Sequence, residues 1–325
     1  MSKTKVLVTG GAGFIGSSIA NRLLRESGIN RSSEVIVLDD LSLGTPSHLS
    51  KEIEFVEGSV MDYDLILGLT KECDYVFHEA ARSSSPMFTN DPRRGIDVNV
   101  IGFMNVMEAS KKNNVKKIIF ASSSSLYNGQ SMPFKESYNL TPKTFYEVSF
   151  FCREAIAKSY YLESGLNSIG LRYFSVYGYN EKHKGKFANN ISQFLWSIQE
   201  GKAPVIFGDG LQTRDFTFIE DVVDANILAM NSEIEHGIYN IGDGISTSFN
   251  EVVRLLNKHL GTNINPDYMV NPIKNYVQDT MADTSLAKSD LGYQAKWNIE
   301  DGIRALITKT KSHDKETSEI HSSLQ

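Results

Sequence analysis

The residues whose types and spacing carry the plainest chemistry lie near the start of the chain. Gly10, Gly13 and Gly16 follow a short apolar run at 5–9 and open a stretch with apolar residues at helical spacing. Between strand and helix, the first glycine permits a tight turn and the second lets backbone approach a bound anion. The third lets the helix pack closely, so that its N-terminus faces a diphosphate. Glycine turns also join strands to helices with no ligand, so the acidic residues that follow matter. The run at 34–38 ends in Asp39 and Asp40, at the separation expected of a ribose ligand. A carboxylate there accepts hydrogen bonds from ribose hydroxyls and repels a 2′-phosphate. NAD is therefore the expected cofactor, held by Gly10, Gly13, Phe14, Ile15, Gly16, Asp39 and Asp40.

These residues need a scaffold, and the pattern around them supplies one. Short runs rich in Val, Ile or Phe at 5–9, 34–38, 54–57, 75–78 and 118–121 alternate with helical patterns at 14–26, 98–112 and 145–163. This is the signature of a doubly wound parallel sheet in an α/β fold of Rossmann type. The rhythm changes after residue 172, while 237–241 reads as one more strand returning to the sheet. The expected organisation is an NAD-binding domain at 1–172 with a returning segment near 226–250. A smaller substrate-binding region takes 173–225 and 251–310, and the polar tail 311–325 is expected to be disordered.

Composition narrows the partners. The chain has 325 residues, 41% of them hydrophobic and 22% charged, and a net charge of -6. That balance gives no electrostatic footprint for nucleic acid or for an anionic membrane. No apolar run reaches the roughly 18 residues of a membrane span, and MSKTKVLVTG enters a strand directly, so a cytoplasmic protein is expected. Cys73 and Cys152 form no CxxC motif and read as core thiols. No spacing of His, Cys or carboxylate residues suggests a metal.

In chain order, TGGAGFIG, LDDLSLG, VFHEAA, FASSSSLY, FYEVS, LRYFSVYG and GDGLQTRDF resemble the extended short-chain dehydrogenase/reductase family. Within it the likeness is strongest to nucleotide-sugar epimerases of the UDP-glucose 4-epimerase kind, and it runs from residue 5 to about residue 308. The resemblance implies that Tyr146 exchanges a proton with a sugar hydroxyl while nicotinamide takes or returns a hydride. Ser123 matches the strand serine beside that tyrosine and is expected to touch the substrate, and Ser125 is expected to join Tyr146 and Ser123 as a catalytic residue. Ser124 and Ser125 stand where dehydratases of the family carry acidic residues, which argues against dehydration. It also implies cofactor contacts from Ala80, Ala81 and Asn99, with Ser59 and Val60 where the family has an aspartate at the adenine. His78 is then structural.

On the substrate side the resemblance assigns Arg214 to the diphosphate of a UDP-linked sugar, the bland alternative being a surface arginine paired with Asp215. Asn190 matches a position near the nucleotide, Ser175 stands where the family often has an asparagine near the sugar diphosphate, and Tyr276, with Lys274, stands where it often has an arginine. Lys184 and Lys186 add local positive charge. The chief departure is at residue 150. The family places a lysine four residues after the tyrosine, where it holds the nicotinamide ribose and lowers the tyrosine pKa from about 10. This chain has Phe150, which can do neither. Arg153 and the positive nicotinamide ring are the available compensations. The expectation is C4 epimerisation of a UDP-hexose through a transient 4-keto sugar, by a homodimer paired through helices 98–112 and 145–163. The alternatives are an NAD and sugar-nucleotide binding protein with impaired catalysis, and a nucleotide-sugar dehydrogenase or dehydratase of the same fold.

Overall fold

A computed structural model describes residues 3–26, 33–272 and 276–310. In chain order β1 (Thr4–Thr9) leads through the glycine turn to α1 (Phe14–Glu26), β2 (Ser33–Asp39), β3 (Glu54–Glu57), α2 (Tyr63–Leu69) and β4 (Tyr75–His78). Then come α3 (Pro86–Asn90), α4 (Pro92–Ile96), a π-helical turn at Asp97–Ile101, α5 (Gly102–Lys112), β5 (Lys117–Ser123), α6 (Phe145–Ser164) and β6 (Ser168–Tyr173). Beyond β6 lie α7 (Asn190–Gln199), β7 (Val205–Phe207), β8 (Thr213–Asp215), α8 (Ile219–Asn231) and β9 (His236–Ile241). The remaining elements are β10 (Ser246–Ser248), α9 (Phe249–Leu260), β11 (Asp267–Met269), α10 (Ser285–Leu291) and α11 at 299–310.

The main sheet has the order β3-β2-β1-β4-β5-β6-β9, and the pairings along it are parallel. Side chains alternate across it, so Val6 and Val8 pack with Ile19 and Leu23 on one face while Leu7 packs with Ile36, Leu38 and Phe103 on the other. Burial on both faces is why these strands read as nearly continuous apolar runs. The chain reverses direction of travel across the sheet between β1 and β4, and ligands of such folds bind at that switch point, beyond the C-terminal strand ends.

Two elements depart from the expectation. β6 was not among the apolar runs, because Gly170 and Arg172 interrupt it. Yet Gly170 is where a Cβ would lie 2.6 Å from Phe120 Cζ, and buried Arg172 is ion-paired with Glu154 at 2.7 Å. The helix expected at 98–112 starts earlier, since Asp91 caps α4 and the π turn carries it into α5. The extra residue of that turn shifts the apolar period and hides the connection.

The return of β9 to pair with β6 matches the strand expected at 237–241. Around the C-terminal strand ends, the antiparallel pair β8–β10 and the parallel pair β7–β11 build a smaller region. Cys73 and Cys152 are free thiols, the first buried with its pKa pushed up to about 11, the second half-buried. Among the described residues no helix is long and apolar enough to cross a membrane. The tail expected to be disordered lies outside the described residues.

Candidate active site

A cleft of about 580 Å3 opens over the C-terminal ends of β1, β2, β4, β5 and β6. Its floor is the glycine turn. Gly10 has φ +68°, which suits glycine, and a Cβ there would sit 2.5 Å from the Ala80 nitrogen. A Cβ on Gly16 would lie 2.3 Å from the Gly10 carbonyl oxygen, so α1 can approach β1 only with hydrogen at this position. A Cβ on Gly13 would meet nothing nearer than the same oxygen at 3.1 Å, which leaves that side of the turn open to a ligand. Phe14 and Ile15 line the cleft, and first-turn amides of a helix have no intrahelical partner. The floor therefore presents unpaired N–H groups at the positive end of a helix dipole.

Asp39 closes the end of β2. Its carboxylate accepts from the Ala12 amide at 3.0 Å and the Leu41 amide at 2.9 Å, which ties the turn to the ribose position and leaves lone pairs for ribose hydroxyls. Burial raises its pKa against the pull of those amides. Asp40, Val60, Ala80 and Ala81 also line the cleft. Two expected cofactor contacts are turned elsewhere. Ser59 Oγ accepts from the Met61 amide, and its neighbours Gly58 and Val60 form the wall instead. Asn99 is buried, accepts from the Arg82 amide at 2.7 Å and donates to Ser149 Oγ at 3.0 Å, so it fixes the loop after β4.

The far wall comes from β5 and α6. Ser123 ends β5, and its Oγ lies 2.9 Å from Ser125 Oγ and 3.3 Å from the Tyr146 hydroxyl. Tyr146 stands in the first turn of α6, whose start is fixed by a capping box between Thr144 and Glu147. Its hydroxyl also donates to the Ser83 carbonyl at 3.2 Å. Burial raises the Tyr146 pKa, and this outweighs the opposing pull of the Ser123 hydrogen bond and the Arg153 charge. Phe150 occupies the wall where the resemblance implied lysine. Below, Ser122 donates to Glu154, which holds Arg172, and Arg172 donates to the hydroxyl of Tyr127. This buried network joins β5, α6 and β6.

The third wall belongs to the smaller region. Arg214 lines the cleft, with Nη1 donating to the Thr213 carbonyl at 2.7 Å and the Gln278 carbonyl at 2.9 Å, and its guanidinium lies 5.1 Å from the Tyr276 ring. The bland pairing with Asp215 is absent. That carboxylate accepts instead from the amides of Asp243, Gly244 and Ala282, and burial pushes its pKa up to about 7. Ser175 lines the cleft with φ +29°. Asn190, the first residue of α7, is exposed, and the cleft-lining asparagine is its neighbour Asn189. Asn189 caps α7 by accepting from the Ile191 amide and donates to the Ser175 and Val176 carbonyls. Its place before an apolar helical pattern was the available signal.

Lys184 lies 5.0 Å from the Phe14 ring and is paired with Glu181 at 2.8 Å, which brings a cation to the glycine turn. Arg82, Asn128 and His183 line the cleft as well and carried no recognisable motif. Lys274 lies outside the described residues. His78 is buried, with Nδ1 2.8 Å from Thr9 Oγ1, and Glu79 accepts from the Tyr173 hydroxyl at 2.9 Å. Among the described residues no cluster suited to a metal occurs.

The model of the NAD dependent epimerase/dehydratase family matches residues 6–242. The chain belongs to that family. NAD is accordingly its cofactor, and the open glycine floor with the Asp39 anchor fits the adenosine diphosphate half of that molecule. A UDP-glucuronate 4-epimerase of Thermodesulfobacterium geofontis is 31% identical, with 94% of this chain and 96% of that protein covered. Among solved structures, the UDP-N-acetylglucosamine 4-epimerase of Methanobrevibacter ruminantium in complex with UDP-N-acetylmuramic acid superposes with a TM-score of 0.89 at 31% identity, covering 96% of this chain and all of that one. The UDP-glucose 4-epimerase of Thermotoga maritima with UDP-glucose gives 0.87 at 32% identity, covering 95% and 99%.

Proposed function

We propose that this protein is a nucleotide-sugar 4-epimerase, an isomerase that inverts C4 of a UDP-hexose through a transient 4-keto sugar. The observation that carries the reading is the Tyr146 hydroxyl 3.3 Å from Ser123 Oγ, at the meeting point of the glycine floor and the Arg214 wall. In this reading the turn at 10–16 takes the cofactor diphosphate, Asp39 with Asp40 behind it takes the adenosine ribose, and Val60, Ala80 and Ala81 flank the cofactor. NAD, when bound, supplies the hydride acceptor and donor, so the reaction is redox-neutral overall. Tyr146 removes the proton from the sugar 4-hydroxyl and later returns it, while Ser123 orients that hydroxyl and Ser125 orients Ser123. Arg214 offers its planar fork to the substrate diphosphate. Tyr276 packs behind it, and Ser175 and Asn189 complete that wall.

Ser124 and Ser125 provide no acid to protonate a leaving hydroxyl, which favours epimerisation over dehydration. Relatives that are 4-epimerases at 30% identity and above favour turnover over a binding-only role. Residues 1–172 with the returning strand are proposed as the NAD-binding domain, and 173–225 with 251–310 as the substrate region. We further propose a cytoplasmic homodimer. Ile101, Met104, Val148, Phe151 and Leu162 are exposed apolar residues on or beside α5 and α6, the face such pairing would cover. Sedimentation should give twice the chain mass, and a monomer alone would remove the dimer.

The deciding assay is incubation of the purified protein and NAD with UDP-glucose or UDP-galactose, followed by chromatography. Interconversion is expected, and Tyr146→Phe should lower kcat by about 10²–10⁴-fold. Absence of interconversion with both sugars would sink the reading for those substrates.

A further inference from the structure

We infer that Arg153 supplies from beneath the cleft the positive charge that Phe150 cannot, acting on the Tyr146 hydroxyl as a positioning residue through the Phe150 ring. Only the kinetic arm of the test below rests on the epimerase reading.

Tyr146, Phe150 and Arg153 stand at i, i+4 and i+7 of α6, so they share one helix face. The guanidinium carbon of Arg153 lies 5.0 Å from the centre of the Phe150 ring, and the Phe150 ring packs edge-on to Tyr146 at 5.0 Å. Arg153 is wholly buried. Its hydrogen bonds go to backbone: Nε donates to the Asn99 carbonyl and Nη2 to the Ala80 carbonyl, each at 2.7 Å, and Nη1 to the Ala121 carbonyl at 3.4 Å. A cation placed in the interior with carbonyl ligands costs stability, so its presence under the tyrosine calls for a use. In that low-dielectric setting its field on a neighbouring phenol is weakly screened.

The titratable groups that face this charge are Glu79, His78 and Tyr146. Glu79, at the end of β4, is pushed up to about 8 by burial, against the pull of the Arg153 charge and of the Tyr173 hydroxyl that bonds it from β6. His78 on β4 is held neutral by burial and by the same guanidinium. On α6 itself, Glu147 raises the Tyr146 pKa, but its carboxylate is engaged by Asn128 and the Lys143 amide. On β5, Ser123 contributes only a hydrogen bond. Burial lowers Arg153 to about 9, which keeps it cationic at pH 7. Its three carbonyl ligands come from the π turn before α5, the loop after β4 and β5, so the same side chain also braces the wall around Tyr146.

Bracing and charge make different predictions. Tyrosinate formation in the full-length protein is followed by ultraviolet absorption against pH, with Tyr146→Phe subtracted to isolate Tyr146. Arg153→Gln should raise the Tyr146 midpoint by about one unit or more, the size expected when an opposite charge is removed. The acid limb of the kcat profile should move up equally, lowering kcat at pH 7 roughly 10-fold per unit. Arg153→Lys, which keeps the charge and loses the fork, should stay within about one unit of the unaltered protein. A smaller shift in the Gln variant overturns the assignment. If that variant does not fold, the Lys variant decides alone, because a rise of about one unit or more refutes a role for charge. Should the unaltered protein convert neither sugar, the epimerase reading fails while the absorption titration still decides this one.

Discussion

At one end of the cleft the floor comes from one stretch, residues 10–16, in which backbone amides and missing side chains shape the surface. At the other end the lining comes from side chains on separate segments, with Asn189 bonded to the Ser175 carbonyl and the Arg214 guanidinium set against the Tyr276 ring. The first kind of site is rigid because the chain itself is the ligand, with Gly10 bonded to Leu38 and Asp39 bonded to Ala12. The second kind can change one residue at a time without disturbing the sheet. The relatives fit this division, since they share a fold and differ in the named sugar.

The sharpest way to break this contrast is at Gly16. A valine there would place its Cβ 2.3 Å from a backbone oxygen that cannot move aside. NAD affinity should fall at least about 100-fold, equivalent to roughly 3 kcal/mol, with helix α1 displaced. Calorimetric titration with NAD measures it, and an unchanged Kd would show that the turn is not the cofactor floor. Arg214→Ala should act on the other end alone. Loss of charge-assisted hydrogen bonds should raise KM for the UDP-sugar about 10- to 100-fold with NAD binding intact. A parallel loss of NAD affinity would mean that the two ends are not separable. The smallest effect is expected at Lys184, which reaches from the substrate region to Phe14. Lys184 touches the turn only through the Phe14 ring and is held by the buried Glu181, which the Asn189 amide and Ser192 also bond, so Lys184→Ala should weaken NAD by no more than about five-fold.

The same contrast explains what the sequence discloses. Gly10, Gly13, Gly16 and Asp39 are legible because a contiguous turn imposes residue types at fixed spacing. The strand at 75–78 is legible because burial on both faces demands an apolar run. β6 escapes that logic, since Arg172 inside it is buried by a partner on another element, Glu154, eighteen residues away. Asn189 and Asn190 are adjacent, and only the cap geometry decides which one faces the cleft. Ser59 and Asn99 lie at the expected places in the chain, but their side chains are spent on Met61, Arg82 and Ser149. Arg82 comes from a loop and His183 from a short 3-10 helix, too brief for any periodicity to mark a wall.

The position of β9 has a consequence for how such proteins can diversify. The chain leaves the sheet at the end of β6, builds the wall carrying Ser175, Asn189 and Arg214, and comes back to pair with β6 itself. Because the pairing is parallel, with Ser168 beside His236 and Tyr173 beside Ile241, the two junctions of that excursion sit on adjacent strands but at opposite ends of them, roughly 17 Å apart along the strand. Much of that wall is therefore carried on one crossover connection between neighbouring strands, with α8 returning the chain to the start of β9. Exchanging it between relatives leaves the strand order, the glycine floor and the Tyr146 helix as inherited, so a new sugar preference can be acquired without rebuilding the machinery that handles the hydride.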